Sequence, residues 1–303
     1  MRKTIYCLLS IFLLLNLVVS NFGCATATEP KQTTGGMSKN TSASLSPQQR
    51  LKVATTTSLY DTGLWGYLEP MFEEKYNVEL DIMYAGTGKA IELGQRGDVD
   101  VITVHSKSRE LRFIADGYGV ERVPFAYNYF LIVGPAADPA GIKDMSPDEA
   151  FKKLLETSNG NFVSRGDDSG THSMEKTIWA EANYEYAEVQ NTGTWYIEAG
   201  TGMGPTLMMA SEKEAYTLTD MGTYLSYKGK LELVPIVDKS DLLLNIYSAI
   251  AVNPENAPKT KIKMANNLIN FLTSPEIQEL IGNYGAEEYG MQLFIPSAGA
   301  EPK

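Results

Sequence analysis

The chain has 303 residues, of which 43% are hydrophobic and 21% are charged, so it can bury the core of one large or two ordinary domains. Its net charge of −11 excludes a general nucleic-acid binder, which needs clustered Lys and Arg, and an anionic membrane surface would repel it. Both cysteines, Cys7 and Cys24, precede residue 25, and the only histidines are His105 and His172. We therefore expect no disulfide, no thiolate nucleophile, no resident metal and no cofactor in the body of the protein.

Residues 1–23 have the pattern of a secretory signal peptide. Arg2 and Lys3 precede an apolar run from residue 5 to residue 20. We therefore predict that the protein is exported.

Cys24 follows Gly23 at the end of the apolar run and resembles the lipidated cysteine of a bacterial lipoprotein. Asn21 departs from that pattern, because an aliphatic residue is usual there, so plain secretion and an uncleaved anchor stay open as alternatives. Residues 24–49 are rich in Ser and Thr, which predicts a flexible tether. With lipid on Cys24, the protein would be held at the outer face of the cell membrane or in the periplasm.

From residue 51 onward, strand and helix patterns alternate. The predicted strands are 51–54, 78–84, 99–104, 129–133, 162–163, 215–219, 231–236 and 247–252. The predicted helices are 64–75, 90–95, 110–116, 147–157, 171–182, one after Gly204-Pro205, 259–272 and 275–284. The first of these elements form a βαβαβ unit, which predicts a parallel sheet covered on both faces.

The strands 129–133 and 247–252 are natural crossing points between two halves of the chain. We expect an α/β fold with two lobes joined by two crossover segments and a cleft between them. The predicted lobes are 50–126 plus 253–303 and 127–252.

A run of four hydroxyl residues, Thr55 to Ser58, follows the first strand. In open α/β sheets, ligands bind beyond the carboxyl ends of strands and against helix N-termini. Thr56, Thr57 and Ser58 are therefore candidate donors to an anion. Simple capping of a helix is the alternative.

The segment Ser164 to His172 is the second candidate, since it follows a strand and opens a helix. Arg165 offers a planar fork to an oxyanion, and Asp167 can hold that fork in position. Ser169, Gly170 and Thr171 add hydroxyls and a close backbone. The alternative is a surface turn in which an aspartate caps the helix.

Gly86-Thr87-Gly88-Lys89 is a third candidate. It fails the P-loop pattern, since Met83 stands where a glycine is required and Ala90 where Ser or Thr is required. Thr87 and Lys89 are better interpreted as parts of a turn that opens a helix toward the cleft.

His105 and Ser106, at the end of strand 99–104, face the same edge, although a structural role for His105 is equally open. Gly202 and Met203, in the run from Gly200 to Pro205, are weaker candidates. A plain turn explains that run equally well, and no strand clearly precedes it.

Together these segments resemble the type II periplasmic binding proteins of ABC importers, over about residues 50–295. The Ser-Arg-Gly-Asp-Asp-Ser-Gly-Thr-His run is similar to that of phosphate-binding members, whereas the residues shared with the tungstate-binding subfamily are Thr-Thr-Thr-Ser, Gly-Thr-Gly-Lys-Ala, Val104-His105, Trp195-Tyr196, Gly202-Met203-Gly204 and Ala215 to Asp220. The resemblance implies a protein that is not an enzyme and delivers an oxyanion to a membrane permease and its ATPase. It also implies that the donors to the oxyanion are Thr57, Ser58, Arg165, Ser169, Gly170 and Thr171.

The resemblance also bears on which anion is bound, because phosphate-binding relatives have an Asp where His105 stands. Phosphate keeps a proton near neutral pH that a carboxylate can accept, whereas tungstate and molybdate carry none, and His105 can donate. Tungstate or molybdate is therefore favoured over phosphate, and the choice of tungstate rests on the resemblance alone. A secreted hydrolase using Ser169 and His172 is the alternative of another class.

Overall fold

The computed structural model describes residues 49–158, 160–238 and 240–301. The predicted signal peptide, Cys24 and residues 24–48 of the predicted tether lie outside the described residues. Gln49, which we expected to end the tether, is instead the first residue of a strand.

The described residues form strands and helices that alternate along most of the chain. The strands are β1 Gln49–Thr56, β2 Val78–Ala85, β3 Val101–Val104, β4 Gly119–Pro135, β5 Phe162–Ser164, β6 Tyr196–Glu198, β7 Thr217–Asp220, β8 Leu233–Val237, β9 Leu244–Val252 and β10 Ile295–Pro296. The α-helices are α1 Thr57–Asp61, α2 Leu64–Tyr76, α3 Thr87–Gln95, α4 Lys107–Ala115, α5 Pro147–Thr157, α6 Gly170–Glu181, α7 Tyr186–Val189, α8 Met203–Glu212, α9 Met221–Tyr227, α10 Ile262–Leu272, α11 Pro275–Asn283 and α12 Ala286–Tyr289.

The predicted βαβαβ unit is confirmed, because β1 pairs in parallel with both β2 and β3. The rest of the main sheet is antiparallel: β9 lies between β3 and β4, and the order is β10-β4-β9-β3-β1-β2, with β7 and β8 also paired to β4. A second sheet contains β5 and β6 in parallel. The protein therefore has a mixed α/β fold.

Both faces of the parallel strands are buried. Val53 and Val101 belong to one core with helices α2, α10 and α11, while their neighbours Ala54 and Ile102 belong to another with α3 and α4. Since successive side chains of a strand point to opposite faces, an apolar run can fill both cores at once.

Strand β4 is unusually long, and it changes partner along its length. Residues 119–129 pair with β9, whereas 130–135 pair with β7 and β8. Beyond this change, Phe130 and Ile132 belong to a separate core with α5 and α6. Strand β9, at the end of the predicted second lobe 127–252, pairs with β3 and with the first part of β4. The lobe boundaries stay a prediction.

No helix of the described ranges combines the length and the apolar character needed to cross a membrane.

Glycine at position 134 is required by the packing of β4 against Tyr216. A Cβ there would lie 2.3 Å from Cδ1 of this fully buried ring. We predict that Gly134→Ala lowers the free energy of unfolding by roughly 1–3 kcal/mol through overpacking, measured by urea denaturation. Gly66→Ala is the control, because a Cβ at this exposed position in α2 meets nothing within 4 Å and should stabilise the helix. Equal effects of the two substitutions would contradict the packing argument.

Candidate functional site

The four hydroxyl residues Thr55 to Ser58, at the end of β1 and the start of α1, have different roles. The Thr55 hydroxyl donates to Thr103 O and accepts from Trp65 Nε1, so it belongs to the interior. The Thr56 hydroxyl caps α1 by accepting from Leu59 N at 3.3 Å. Both are buried, as is Ser58, whereas Thr57 is half-buried. The capping interpretation therefore holds for Thr56.

A chain of buried hydrogen bonds begins at this run and continues through His105. Ser58 Oγ lies 3.3 Å from Thr56 Oγ1 and 3.0 Å from His105 Nε2. On the other side of the ring, His105 Nδ1 lies 2.8 Å from Asn245 Oδ1. Both ring nitrogens are thus engaged within the protein.

The far end of the chain determines which ring nitrogen of His105 carries the proton. The Leu293 carbonyl can only accept, and Asn128 Nδ2 donates to it at 3.3 Å. Asn128 Oδ1 then accepts from Asn245 Nδ2, which also donates to Tyr247 Oη, so Asn245 Oδ1 is the acceptor that faces His105. Nδ1 of His105 must therefore carry the proton. Burial lowers the pKa of His105 to about 4, so the ring is neutral at pH 7 and its Nε2 accepts from Ser58.

Arg165 is only 3% exposed although it is charged. Its Nε donates to Thr201 O at 3.0 Å, and its Nη2 is paired with Asp167, as the sequence predicted. Two further carboxyl groups, Asp61 and Asp220, are close enough to feel the charge: burial raises the pKa of each, and Arg165 opposes that rise.

The start of α6 meets the His105 side of the site. Ser169 caps this helix, since its Oγ accepts from His172 N at 3.2 Å. A Cβ at Gly170 would lie 2.4 Å from His105 Cε1, so only glycine allows this approach. The structure thus brings Ser58, His105 and Gly170 together from three distant parts of the sequence.

Two of the predicted site residues have hydroxyls that are buried without a partner among the described residues. They are Thr87, the first residue of α3, and Thr171, in the first turn of α6. Buried polar groups are nearly always hydrogen-bonded, and the start of a helix is a favourable place for an anion. The two hydroxyls are therefore suited to donate to an anion that lies between the segments.

Other candidates have different surroundings. Lys89 is exposed and pairs with Glu92 at 2.8 Å, Met203 belongs to the main hydrophobic core, and Gly202 precedes α8 without a side-chain cap. Ser106 is buried, and its N–H donates to Glu110. Strand β6 ends shortly before Gly200, which corrects our expectation that no strand precedes this run.

The sequence analysis missed Arg109, in α4. Its guanidinium donates to both carboxylate oxygens and to the main-chain carbonyl of Asp168, which precedes Ser169. Nothing in the residue pattern indicates this contact, because Arg109 looks like any exposed helix residue. A pocket of about 410 Å³ lies beside it, lined by Gly86, Gly88, Lys89, Glu92, Asp167 and Asp168.

Glu175, also missed, is 1% exposed beneath the Arg165 turn. It accepts from Ser164 Oγ at 2.6 Å, Tyr196 Oη at 2.5 Å and Trp179 Nε1 at 3.3 Å. Burial raises its pKa to about 7, against the effect of these donors. No group of three or more His, Cys, Asp or Glu side chains in the described ranges could hold a metal ion.

The mixed α/β fold is that of a periplasmic-type binding protein, and comparison with known proteins agrees. Residues 27–276 match the model of the PBP (periplasmic binding protein) superfamily domain. The tungstate-binding protein TupA of Peptoclostridium acidaminophilum is 43% identical over 249 residues, covering 81% of this chain and 85% of that protein.

Two solved structures are also similar. TupA from Desulfovibrio alaskensis has a TM-score of 0.71 and 41% identity, covering 84% of this chain and 100% of that one. The tungstate ABC transporter structure from Geobacter sulfurreducens has a TM-score of 0.69 and 48% identity, covering 78% of this chain and 98% of that one. The chain belongs to the PBP superfamily, in the branch that contains the TupA proteins.

The raised pKa of Glu175 predicts a stability that falls as pH rises. Between about 4.5 and about 7 the folded protein holds a proton on this carboxyl that the unfolded chain has lost. Glu175→Gln removes the group that titrates and keeps the side-chain oxygen that accepts from Tyr196 and Trp179. The stability of the variant relative to wild type should therefore rise with pH across this window, by at most ~1.4 kcal/mol per pH unit.

Urea denaturation at pH 5 and pH 8 measures this difference. The control is Glu279→Gln, at an exposed carboxylate in α11, which should leave the pH dependence unchanged. A Glu175→Gln variant with the pH dependence of the wild type would show that the folded-state pKa of this carboxyl is ordinary.

Proposed function

We propose that this protein is the extracytoplasmic binding protein of an ABC importer and captures a tetrahedral oxyanion, with tungstate as the preferred ligand and molybdate as the alternative. The observation that carries the proposal is the buried Arg165, in the turn before α6, together with the hydroxyls of Thr87 and Thr171 at the starts of α3 and α6, which are buried without a partner among the described residues. A fixed positive charge with unused donors suits an oxyanion and suits a neutral or cationic ligand poorly.

The donors would come from both parts of the site. Thr57 and Ser58, through main-chain N–H groups and the Thr57 hydroxyl, would hold the anion from the first lobe, with Thr87. Arg165, Ser169, Gly170 and Thr171 would hold it from the second lobe. The hydroxyls of Thr56 and Ser58 instead lie in the hydrogen-bond chain to His105.

The engagement of His105 supports an anion that carries no proton. Its Nε2, the one ring acceptor, already faces the Ser58 hydroxyl, and its Nδ1 donates to Asn245. A hydrogen phosphate ion would need an acceptor for its proton, and His105 supplies none. The sequence-based idea that His105 itself donates to the anion stays a prediction. In the arrangement described, its Nε2 accepts a hydrogen bond from Ser58 and its Nδ1 donates to Asn245.

The contacts of His172 argue against the hydrolase alternative, in which His172 would act as the base for Ser169. His172 Nδ1 accepts from Asp168 N at 3.0 Å, and its Nε2 lies 2.7 Å from Tyr186 Oη. Neither ring nitrogen is therefore free to take a proton from Ser169. We infer that the chain is a binding protein and not an enzyme.

The relatives support the same cellular role. The TupA proteins are named as tungstate-binding proteins, and the Geobacter structure as a tungstate ABC transporter. We propose that this chain is likewise exported and passes its oxyanion to a membrane permease driven by an ATPase. The lipid on Cys24 and the two-lobed division of the body are part of this proposal.

Replacing Arg165 with Ala should weaken tungstate binding by about a hundredfold or more, since charge-assisted hydrogen bonds contribute roughly 1.5–3 kcal/mol each. Isothermal titration calorimetry of the body, residues 47–303, with tungstate, molybdate, sulfate and phosphate measures the change. Lys89→Ala is the control, because Lys89 is exposed and paired with Glu92. Equal, small losses in both variants would count against the site, and no binding of any oxyanion by the wild type would overturn the proposed function.

Thr171→Val tests the unpartnered hydroxyl directly. We expect about tenfold weaker tungstate binding and no loss of Tm without the anion, because the substitution breaks no hydrogen bond within the protein. The matched control is Thr217→Val. The hydroxyl of Thr217 donates to Val163 O at 2.7 Å, so its removal should lower Tm and leave tungstate binding unchanged. A Thr171→Val protein that binds like the wild type would exclude this hydroxyl from the site.

A further inference from the structure

Three segments meet at the Arg109–Asp168 ion pair. Arg109 lies in α4, Asp168 lies in the turn before α6, and Gly88 lies in the first turn of α3. A Cβ at Gly88 would lie 3.0 Å from Asp168 Oδ2 and 3.2 Å from Arg109 Nη1, so the backbone of α3 packs directly against the pair. The pair therefore sits where the starts of α3 and α6 come together.

The two helix starts joined here carry the two unpartnered hydroxyls. Thr87 directly precedes Gly88, and Thr171 follows Asp168 by three residues. If Arg109 released Asp168, the ion pair that links the start of α6 to α4 would be lost.

Arg109 projects from a firmly anchored helix. Its neighbour Glu110 is fully buried, accepts from Ser106 N at 2.5 Å and pairs with Arg122 Nε of β4 at 2.5 Å. The base of the Arg109 side chain is therefore fixed to the main sheet. Its guanidinium can hold the Asp168 turn in one place relative to that sheet.

Asp168 is suited to this contact by its backbone. Its φ is +60°, in the left-handed region that Asp and Asn tolerate better than most residues. Its N–H donates to His172 Nδ1. Its carbonyl oxygen and both of its carboxylate oxygens accept hydrogen bonds from the Arg109 guanidinium. A bidentate fork of this kind fixes orientation as well as distance.

The pair is also exposed enough to break and reform. The Arg109 side chain is 29% exposed and the Asp168 side chain 60%. Exposed ion pairs are weak and are screened by salt. The Arg109–Asp168 pair can therefore favour the contact between the starts of α3 and α6 and still break when these segments move apart.

We propose that Arg109 is a positioning residue of the oxyanion site: by holding Asp168, it keeps the starts of α3 and α6 together around the anion and so sets how long the anion stays bound. The inference rests on the proposed function. Arg109 itself does not touch the anion, so its loss acts on dissociation more than on the encounter.

The test is stopped-flow measurement of tungstate association and dissociation, with intrinsic fluorescence as the signal. The variants are Arg109→Gln, Arg109→Lys and Asp168→Asn, the last of which keeps the tolerance for left-handed backbone and removes only the charge. Arg112→Gln is the matched control, because Arg112 lies in the same helix, is 83% exposed and pairs with Asp116, four residues later.

We expect Arg109→Gln and Asp168→Asn each to raise the dissociation rate by up to about fivefold, with a smaller change in the association rate. The double variant should resemble Arg109→Gln, because that substitution already removes the contacts with the Asp168 carboxylate and carbonyl, and Asp168→Asn adds only the loss of the Lys176–Asp168 pair at 4.0 Å. Arg109→Lys should lie between Arg109→Gln and wild type, and Arg112→Gln should equal wild type. Raised salt should speed dissociation in wild type more than in Arg109→Gln.

Two results would overturn the inference and leave the proposed function intact. One is tungstate dissociation from Arg109→Gln at the wild-type rate. The other is a lower Tm of Arg109→Gln without tungstate that accounts for its weaker binding, which would make Arg109 a merely structural residue. If wild-type protein binds no oxyanion, the proposed function fails and this inference fails with it.

Discussion

The burial of the Arg165 charge is the constraint on which the rest of the site depends. A guanidinium keeps its proton in proteins, so the fold must supply partners for it. The turn after β5 does this locally: Gly166 and Asp168 both have positive φ, which curls the chain so that Asp167 reaches back to Arg165. The same curl ends at Ser169, where α6 begins. One charged side chain therefore accounts for the shape of the turn and for the direction of the helix that follows.

The sequence predicted the parallel part of the fold well, because its strands are buried on both faces and its helices are amphipathic. It could not show that β9 runs antiparallel between β3 and β4, since a short apolar run carries no sign of direction. β6 was missed because only its first residue is buried, whereas the equally short β5, which was predicted, is buried throughout. The polar turns were found by residue type alone. Arg109 was not, because its partner Asp168 is 59 residues away and nothing local marks the pair.

The protonation of His105 is a second feature that the local sequence could not predict. Its position after a strand could be predicted, but its tautomer depends on Asn245, 140 residues later, and on the orientation that Asn128 and the Leu293 carbonyl impose. The chain of hydrogen bonds is buried throughout, so reversing any one amide would leave donors facing donors. In the arrangement described, the Nε2 of His105 accepts from Ser58 and its Nδ1 donates to Asn245, which the residue type alone could not indicate.

The free energies of these contacts indicate how binding and the arrangement of segments are linked. A buried hydroxyl without a partner costs on the order of 1–3 kcal/mol, and Thr87 and Thr171 each bear such a cost. The exposed Arg109–Asp168 pair contributes only about 0–1 kcal/mol. That pair alone is too weak to offset two unpaired hydroxyls, whereas an oxyanion accepting from both would remove the cost. Anion binding and the meeting of α3 with α6 should therefore stabilise each other, because whatever favours one favours the other by the same free energy.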